Sequence, residues 1–364
     1  LVERGTLLIK HIFGGTSRII PFWAGLGLEE RNFLGRGLTL GISAVGTAEP
    51  QIMGGRSQAA FEAYTFLPST FKLPVFAGVH FNRGSEFYQT YGDSGSGDPA
   101  NFLSMHYLSF GLKAKTYFPV GPFFLHLGFD SNLVLADIPS EAVRHLEDGR
   151  TKNIDFGLNN GLSAISVFFM KLIYDSRNRP VLPSSGSLVE LSARSGSPLT
   201  LSNYTFLKAE FLASRFFAMG SHAFSLHLYG ASMMGNLPLF EKIYIGDVQD
   251  LIPQRALGLN LSVAPSPNIM NTGISDIRWG TAAAKATMRY DYTFYQGEAF
   301  VYRANFFISG GMFMLSTATR LRYREGGFWE TAPIDLTANF GVHLDTRLGI
   351  FSLSISNVIG RLPL

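Results

Sequence analysis

Few side chains in this sequence stand at spacings that chemistry would require. Eight histidines are scattered without metal-ligand spacing, and His80, His126, His227 and His343 fall on the polar faces of alternating strands, so they read as lining rather than as ligands. Cysteine is absent, which removes thiolate metal sites and thiol nucleophiles and fits an oxidising compartment without disulfides. The adjacent carboxylates Glu29 and Glu30 sit at a turn, where hydration explains them more simply than acid-base work. Gly-x-Ser-x-Gly elbows, phosphate-cradling loops and His-Glu-x-x-His are all missing, so no catalytic residue, metal or cofactor is expected, and the chain is not read as an enzyme. What remains is a close pair of opposite charges, Asp175 and Arg177, expected to fix a turn by a local ion pair.

That pair belongs to the stretch around which the chain is organised, residues 174–196. A strand ending at Tyr174 and Asp175 meets Pro180 and Pro183, neither of which can donate to a sheet ladder. Ser184, Ser185 and Gly186 then turn the chain into a new strand. In it Val189, Leu191 and Ala193 face one way and Glu190, Ser192 and Arg194 the other. The solvent that meets the apolar face is indicated by composition. Charged residues are 16% against ~25% in soluble proteins. With 32 Phe and 14 Tyr, the chain has more aromatics than a soluble core needs. No run of about 18 apolar residues is free of charges and turn signals, so a membrane protein of this sequence must cross with strands. The formal charge of +3 is too small and too dispersed for a nucleic-acid partner. Leu1 opens no signal-peptide pattern, and a mature chain or an excised barrel is expected.

Fifteen alternating segments are readable, among them 107–118, 163–174 and 333–345, and the last alternates over twelve residues from Ile334 to Asp345. Connections near 30–37, 67–73, 118–122, 175–186, 217–221, 296–298 and 346–349 are short, whereas those near 46–58, 83–104, 134–160, 231–280 and 315–332 are long and mostly polar. A soluble sandwich would also alternate, but it does not explain polar faces carrying Lys, Glu and Arg or the short-long order. The expectation is an all-β fold, one transmembrane antiparallel β-barrel over residues 1–364. Bacterial single-chain barrels have even strand numbers, so sixteen strands are expected, one beyond those readable.

Several local patterns then resemble the barrel of the BamA/TamA outer-membrane insertase family, also called the bacterial surface antigen family. They are Gly27 to Gly37 after the second strand, Tyr174-Asp175-Ser176-Arg177 through Pro183 and Gly186 at the middle hairpin, Leu237 to Glu241 before a long loop, and Asn339 to Thr346 near the end. The resemblance implies sixteen strands, a weak pairing of first and last strands that can part sideways, and a sixth surface loop folded into the lumen. In the family that loop carries an arginine paired with acidic wall residues. Here Gly246-Asp247 and Arg255 occupy its place, Ser309 stands where the wall aspartate is expected, and Asp291 is the substitute partner. The loop at about 231–280 holds Phe240, Ile243, Leu257 and Leu259, too many apolar groups to leave in water. It is expected to fold inward with Arg255 within hydrogen-bonding distance of Asp291, Glu190, Glu210 or Asp335. The resemblance further implies the outer membrane of a Gram-negative bacterium and help with inserting or translocating proteins or lipids. Membrane lipids, a separate periplasmic POTRA-type or accessory protein and a second copy of the chain are the partners to consider. The first strand begins within about ten residues of Leu1, where family insertases carry POTRA repeats. A passive porin-like channel and a structural module of a larger assembly are the competing expectations.

Overall fold

The computed structural model describes residues 7–16, 20–51, 54–68, 73–90, 102–145, 149–179, 182–244, 255–261, 279–317, 334–347 and 349–361. Fifteen strands pair in sequence order in one sheet. They are β1 (Leu7–Gly15), β2 (Trp23–Phe33), β3 (Leu38–Thr47), β4 (Ala59–Leu67), β5 (Val75–Gln89), β6 (Phe102–Val120) and β7 (Phe123–Asp137). After a long connection come β8 (Gly161–Asp175), β9 (Gly186–Gly196), β10 (Phe206–Met219) and β11 (His222–Gly235). The last four are β12 (Ala282–Gln296), β13 (Val301–Ser316), β14 (Ile334–Thr346) and β15 (Gly349–Arg361). Every neighbouring pair is antiparallel, as in β8 on β9, where Val167 to Asp175 face Gly196 to Leu188 without a slip. Bulges interrupt the ladders of β1 on β2 at Ile9/His11 and of β14 on β15 at Leu336/Thr337, both beside the sheet's ends. A sixteenth strand is not among the described residues, and the outer edges of β1 and β15 carry no ladder there.

Period-two alternation decides which way each residue faces. Phe110 and Leu112 on β6, Leu133 and Leu135 on β7, Leu191 on β9, Met288 on β12 and Ile308 on β13 are all between 50% and 65% exposed. Apolar side chains so exposed on one continuous face form the band that a lipid-facing wall needs. The alternate residues point inward and are polar through the short-turn half. Lys113 pairs with Glu62, Lys171 with Glu190, and Arg289 with Asp291. His227 shares hydrogen bonds with Ser214 and Ser225, each at 2.9 Å.

In the long-loop half the same faces turn apolar. Tyr107, Val134, Ile165, Val167, Phe206, Met233 and Phe313 are at most 3% exposed and gather around Phe156, Leu237, Leu239 and Ile243 from the long connections. Strands β5 and β6 run further into this half than their alternation indicates. Beyond His80 and before Tyr107, residues such as Ser85, Glu86, Phe87 and Met105 are buried on both faces by the connections above them, so polarity no longer alternates.

Candidate functional site

Two places gather the inward-facing charges: the long connection between β11 and β12, and the rim where β8 turns into β9. The first begins with Pro238, whose φ of −66° presets entry into a single 3₁₀ turn, Leu239–Glu241. Leu239 N donates to Gly157 O at 2.8 Å, binding this turn to the connection between β7 and β8. Glu241, 6% exposed, accepts from Arg194 of β9 in a two-pronged pair, Nε to Oε2 at 2.9 Å and Nη2 to Oε1 at 2.6 Å. Such a fork fixes orientation as well as charge. The Arg194 guanidinium also lies 5.7 Å from the Phe169 ring. Next to it, Lys242 Nζ donates to Asp155 Oδ2 at 2.9 Å. Burial alone would raise the Asp155 carboxyl, but the Lys242 hydrogen bond and charge outweigh it and hold the group below the usual carboxylate range.

Further along the loop, Arg255–Ala256 pairs with Leu259–Asn260 as a small hairpin, with Leu257 at a φ of 50° between them. Leu259 and Leu261, 0% and 1% exposed, join Trp23, Val45 and Ala60, which stand on the inward faces of β2, β3 and β4. Asn260 Nδ2 donates to Glu86 Oε2 at 2.9 Å, and Gln58 Nε2 donates to Asn260 O at 3.2 Å. Arg255 stands across from Asn260 in the hairpin register. Its side chain, like all of Gly246, lies outside the described residues.

Of the wall carboxylates expected to receive a loop arginine, Asp291, Glu190 and Glu210 hold partners on the wall itself. Arg289 holds Asp291 from two positions away on the same face of β12, with Nε to Oδ2 at 2.8 Å. Lys171 pairs with Glu190, while Glu210 takes Lys208 at 3.2 Å and the Tyr229 hydroxyl at 3.0 Å. Asp335 is 3% exposed on β14. Ser309, in the expected aspartate position, accepts from Asn339 Nδ2 at 3.1 Å. Among the described residues, sequence spacing missed a charge pair that ties wall to loop with the arginine, Arg194, on the wall and the carboxylate, Glu241, on the loop. A signal for Arg289 with Asp291 and for Lys208 with Glu210 was present, since opposite charges at i and i+2 on a strand share a face.

At the rim, Arg177 Nη2 meets Asp175 Oδ2 at 2.7 Å, and Arg177 N donates to Asp175 Oδ1 at 3.0 Å. The Asp175 hydrogen bond raises the Arg177 guanidinium further above its ordinary range. Asn178 completes the turn: its Oδ1 accepts from the Ser184 and Ser185 amides at 3.0 and 3.1 Å. Gly186 has a φ of 97°, and a Cβ there would stand 2.2 Å from Ser176 O. Tyr174 faces outward against Phe123, with ring centroids 5.9 Å apart. Pro183 lines a cavity of about 390 Å³ that also holds Arg177, Arg179, Arg289, Arg303 and Asp291, so the turn lies across the mouth of the sheet towards β13.

A family model, the Omp85 superfamily domain, matches residues 32–356. The chain belongs to the Omp85 superfamily. Among solved structures, BamA from Haemophilus ducreyi lacking POTRA domains 1-3 superposes with a TM-score of 0.62 at 14% identity, over 99% of this chain and 68% of that one. CdiB from Escherichia coli gives 0.61 at 10% identity, over 100% of this chain and 61% of that one. At such identities the likeness is one of fold, and this Omp85 chain spans about two thirds of each of those proteins. No curated protein matches the chain by sequence. No POTRA domain lies within the 364 residues.

Proposed function

We propose that this Omp85 chain is the membrane barrel of a machine in a Gram-negative outer membrane that helps proteins or lipids to insert or cross, working at a seam between β1 and β15. The observation that carries the proposal is the pair of outer edges without a ladder among the described residues. Fourteen antiparallel reversals separate the two strands, so β1 and β15 run in the same direction. Direct closure would require a parallel ladder, which is slightly weaker per residue than an antiparallel one. A seam of this kind leaves backbone donors and acceptors available to an incoming strand.

Cysteine pairs introduced along Leu7–Gly15 and Phe351–Ile355 in a chain with no native cysteine give a clean locking experiment. Oxidised pairs should abolish insertion of a client barrel into liposomes, and reduction should restore it. Full activity in the locked form overturns the seam. The long loop is proposed as a plug over the axis, held by Glu241 on Arg194 and by Asn260 on Glu86. For the family-type arginine, the hairpin register makes Glu86, rather than Asp291, the wall carboxylate to test against Arg255. Client delivery is assigned to a separate periplasmic accessory protein or a second copy of the chain, which co-purification and the native mass in detergent would reveal.

A further inference from the structure

The outward wall over β4 to β7 changes character in steps along the strands. At one level Phe61, Phe81, Phe110 and Leu133 are paired neighbours in register, each 43% to 51% exposed. One step towards the long loops the row reads Ala59, Arg83, Leu108 and Leu135. A further step brings Ser85, His106 and Asp137. Above them the connection between β3 and β4 bends over the outside of the wall, where Ser104 Oγ donates to Gly54 O at 3.1 Å, and it delivers Arg56. His106 is held from both sides, Nδ1 on Ser85 Oγ at 2.8 Å and Nε2 on Ser104 Oγ at 3.4 Å.

Together these residues line a pocket of about 500 Å³ with an apolar floor of Phe81, Leu108 and Leu135 and a cationic upper edge of Arg56 and Arg83. Both guanidiniums are exposed, and among the described residues neither makes an ion pair. A charge on a lipid-facing wall is tolerated only near the interface, which sets the membrane boundary at the level of Arg83. Phosphates of lipid headgroups lie at that depth, with acyl chains running past the level of Phe81. Asp137 stands on the water side, one step beyond Arg83, so the position left for an anion is between the arginines and the apolar floor.

We infer that this pocket is a binding site for a lipid of the leaflet on the long-loop side, its phosphate held by Arg56 and Arg83 and its acyl chain laid over Phe81, Leu108 and Leu135. The inference rests on the wall facing lipid and on no seam or client, so a failed insertion assay leaves it standing. Purified protein in detergent would be titrated with phosphatidic acid, with phosphatidylcholine of the same chains and with inorganic phosphate, and adducts counted by native mass spectrometry. Phosphatidic acid is expected to bind at least tenfold more tightly than phosphatidylcholine. Each juxtamembrane guanidinium contributes about fivefold, so the doubly substituted Arg56→Gln, Arg83→Gln protein should show near parity. Arg215→Gln is the control, since that outward arginine at the opposite end donates to Ser187 Oγ at 2.7 Å and should leave the preference intact. Folding is checked by heat-shifted gel migration. If the double variant does not fold, Arg56→Gln alone, in an exposed loop, should lose about fivefold. Unchanged preference in the variants overturns the inference, and so does binding of inorganic phosphate as tight as that of phosphatidic acid, which would mark a free-anion site.

Discussion

Arg194 and Glu241 are the residues whose removal should be felt furthest from where they stand. Taking away one partner of a desolvated, forked ion pair leaves the other uncompensated, at a cost of about 3 kcal/mol. Arg194→Ala is therefore expected to raise the open population of the long loop by about a hundredfold. Limited proteolysis between β11 and β12 measures that opening; a digestion rate equal to wild type would show that the apolar packing around Leu239 suffices alone. A weaker tie should respond to acid. Asp155 has a folded-state carboxyl below its ordinary value of 3.8. Its contribution is therefore complete above the unfolded value and is lost as pH falls through the folded one. Its side chain is 79% exposed, so the effect is small, a lower amide protection, taken relative to the intrinsic exchange rate at each pH, around 155–158 and 239–242 at pH 3 than at pH 5. Asp155→Asn should show the lower protection at both pH values.

Among the elements, the β8–β9 hairpin is the one in which a single atom decides the outcome. Gly186→Ala forces a side chain into left-handed backbone and against Ser176 O, a cost of about 2–3 kcal/mol. Slower or incomplete acquisition of the folded gel mobility is expected, while Ser185→Ala, which keeps the backbone amide that Asn178 receives, should fold as wild type. This hairpin was legible in the sequence because each of its signals is local: two prolines, an alternating strand and an i, i+2 charge pair. So were all fifteen strands, since lipid on one side and water on the other impose a period of two. The alternation lapses at Ser85 to Tyr88 and at Phe102 to Met105, where connections cover the outer face and both faces become protein interior. The wall-to-loop pairs were illegible for another reason. Glu241 lies 47 residues from Arg194 and Asn260 lies 174 residues from Glu86, and only the curvature of the sheet and the inward fold of the loop bring such residues together.

For the whole molecule, the apolar packing around Leu237, Leu239, Phe313 and Tyr107 should leave little room for ions. In a planar bilayer the protein is expected to pass little steady current. Replacing residues 236–281 with a short Gly-Ser linker should produce large, stable conductance steps, and an equally large current from the intact chain would favour the porin. The two-zoned lumen also determines how the protein would sense a voltage. A packed hydrocarbon-like layer at one end and hydrated ion pairs at the other act as two capacitors in series, and most of an applied field falls across the layer of lower permittivity. Lys113 with Glu62, Lys171 with Glu190 and Arg289 with Asp291 then sit at nearly one potential, and each pair carries no net charge to move. Gating would require charge to cross the drop, at about 2.3 kcal/mol per elementary charge per 100 mV. In the apolar zone the fork of Arg194 on Glu241 is itself neutral. The barrel should be electrically silent, with the same small current at either polarity.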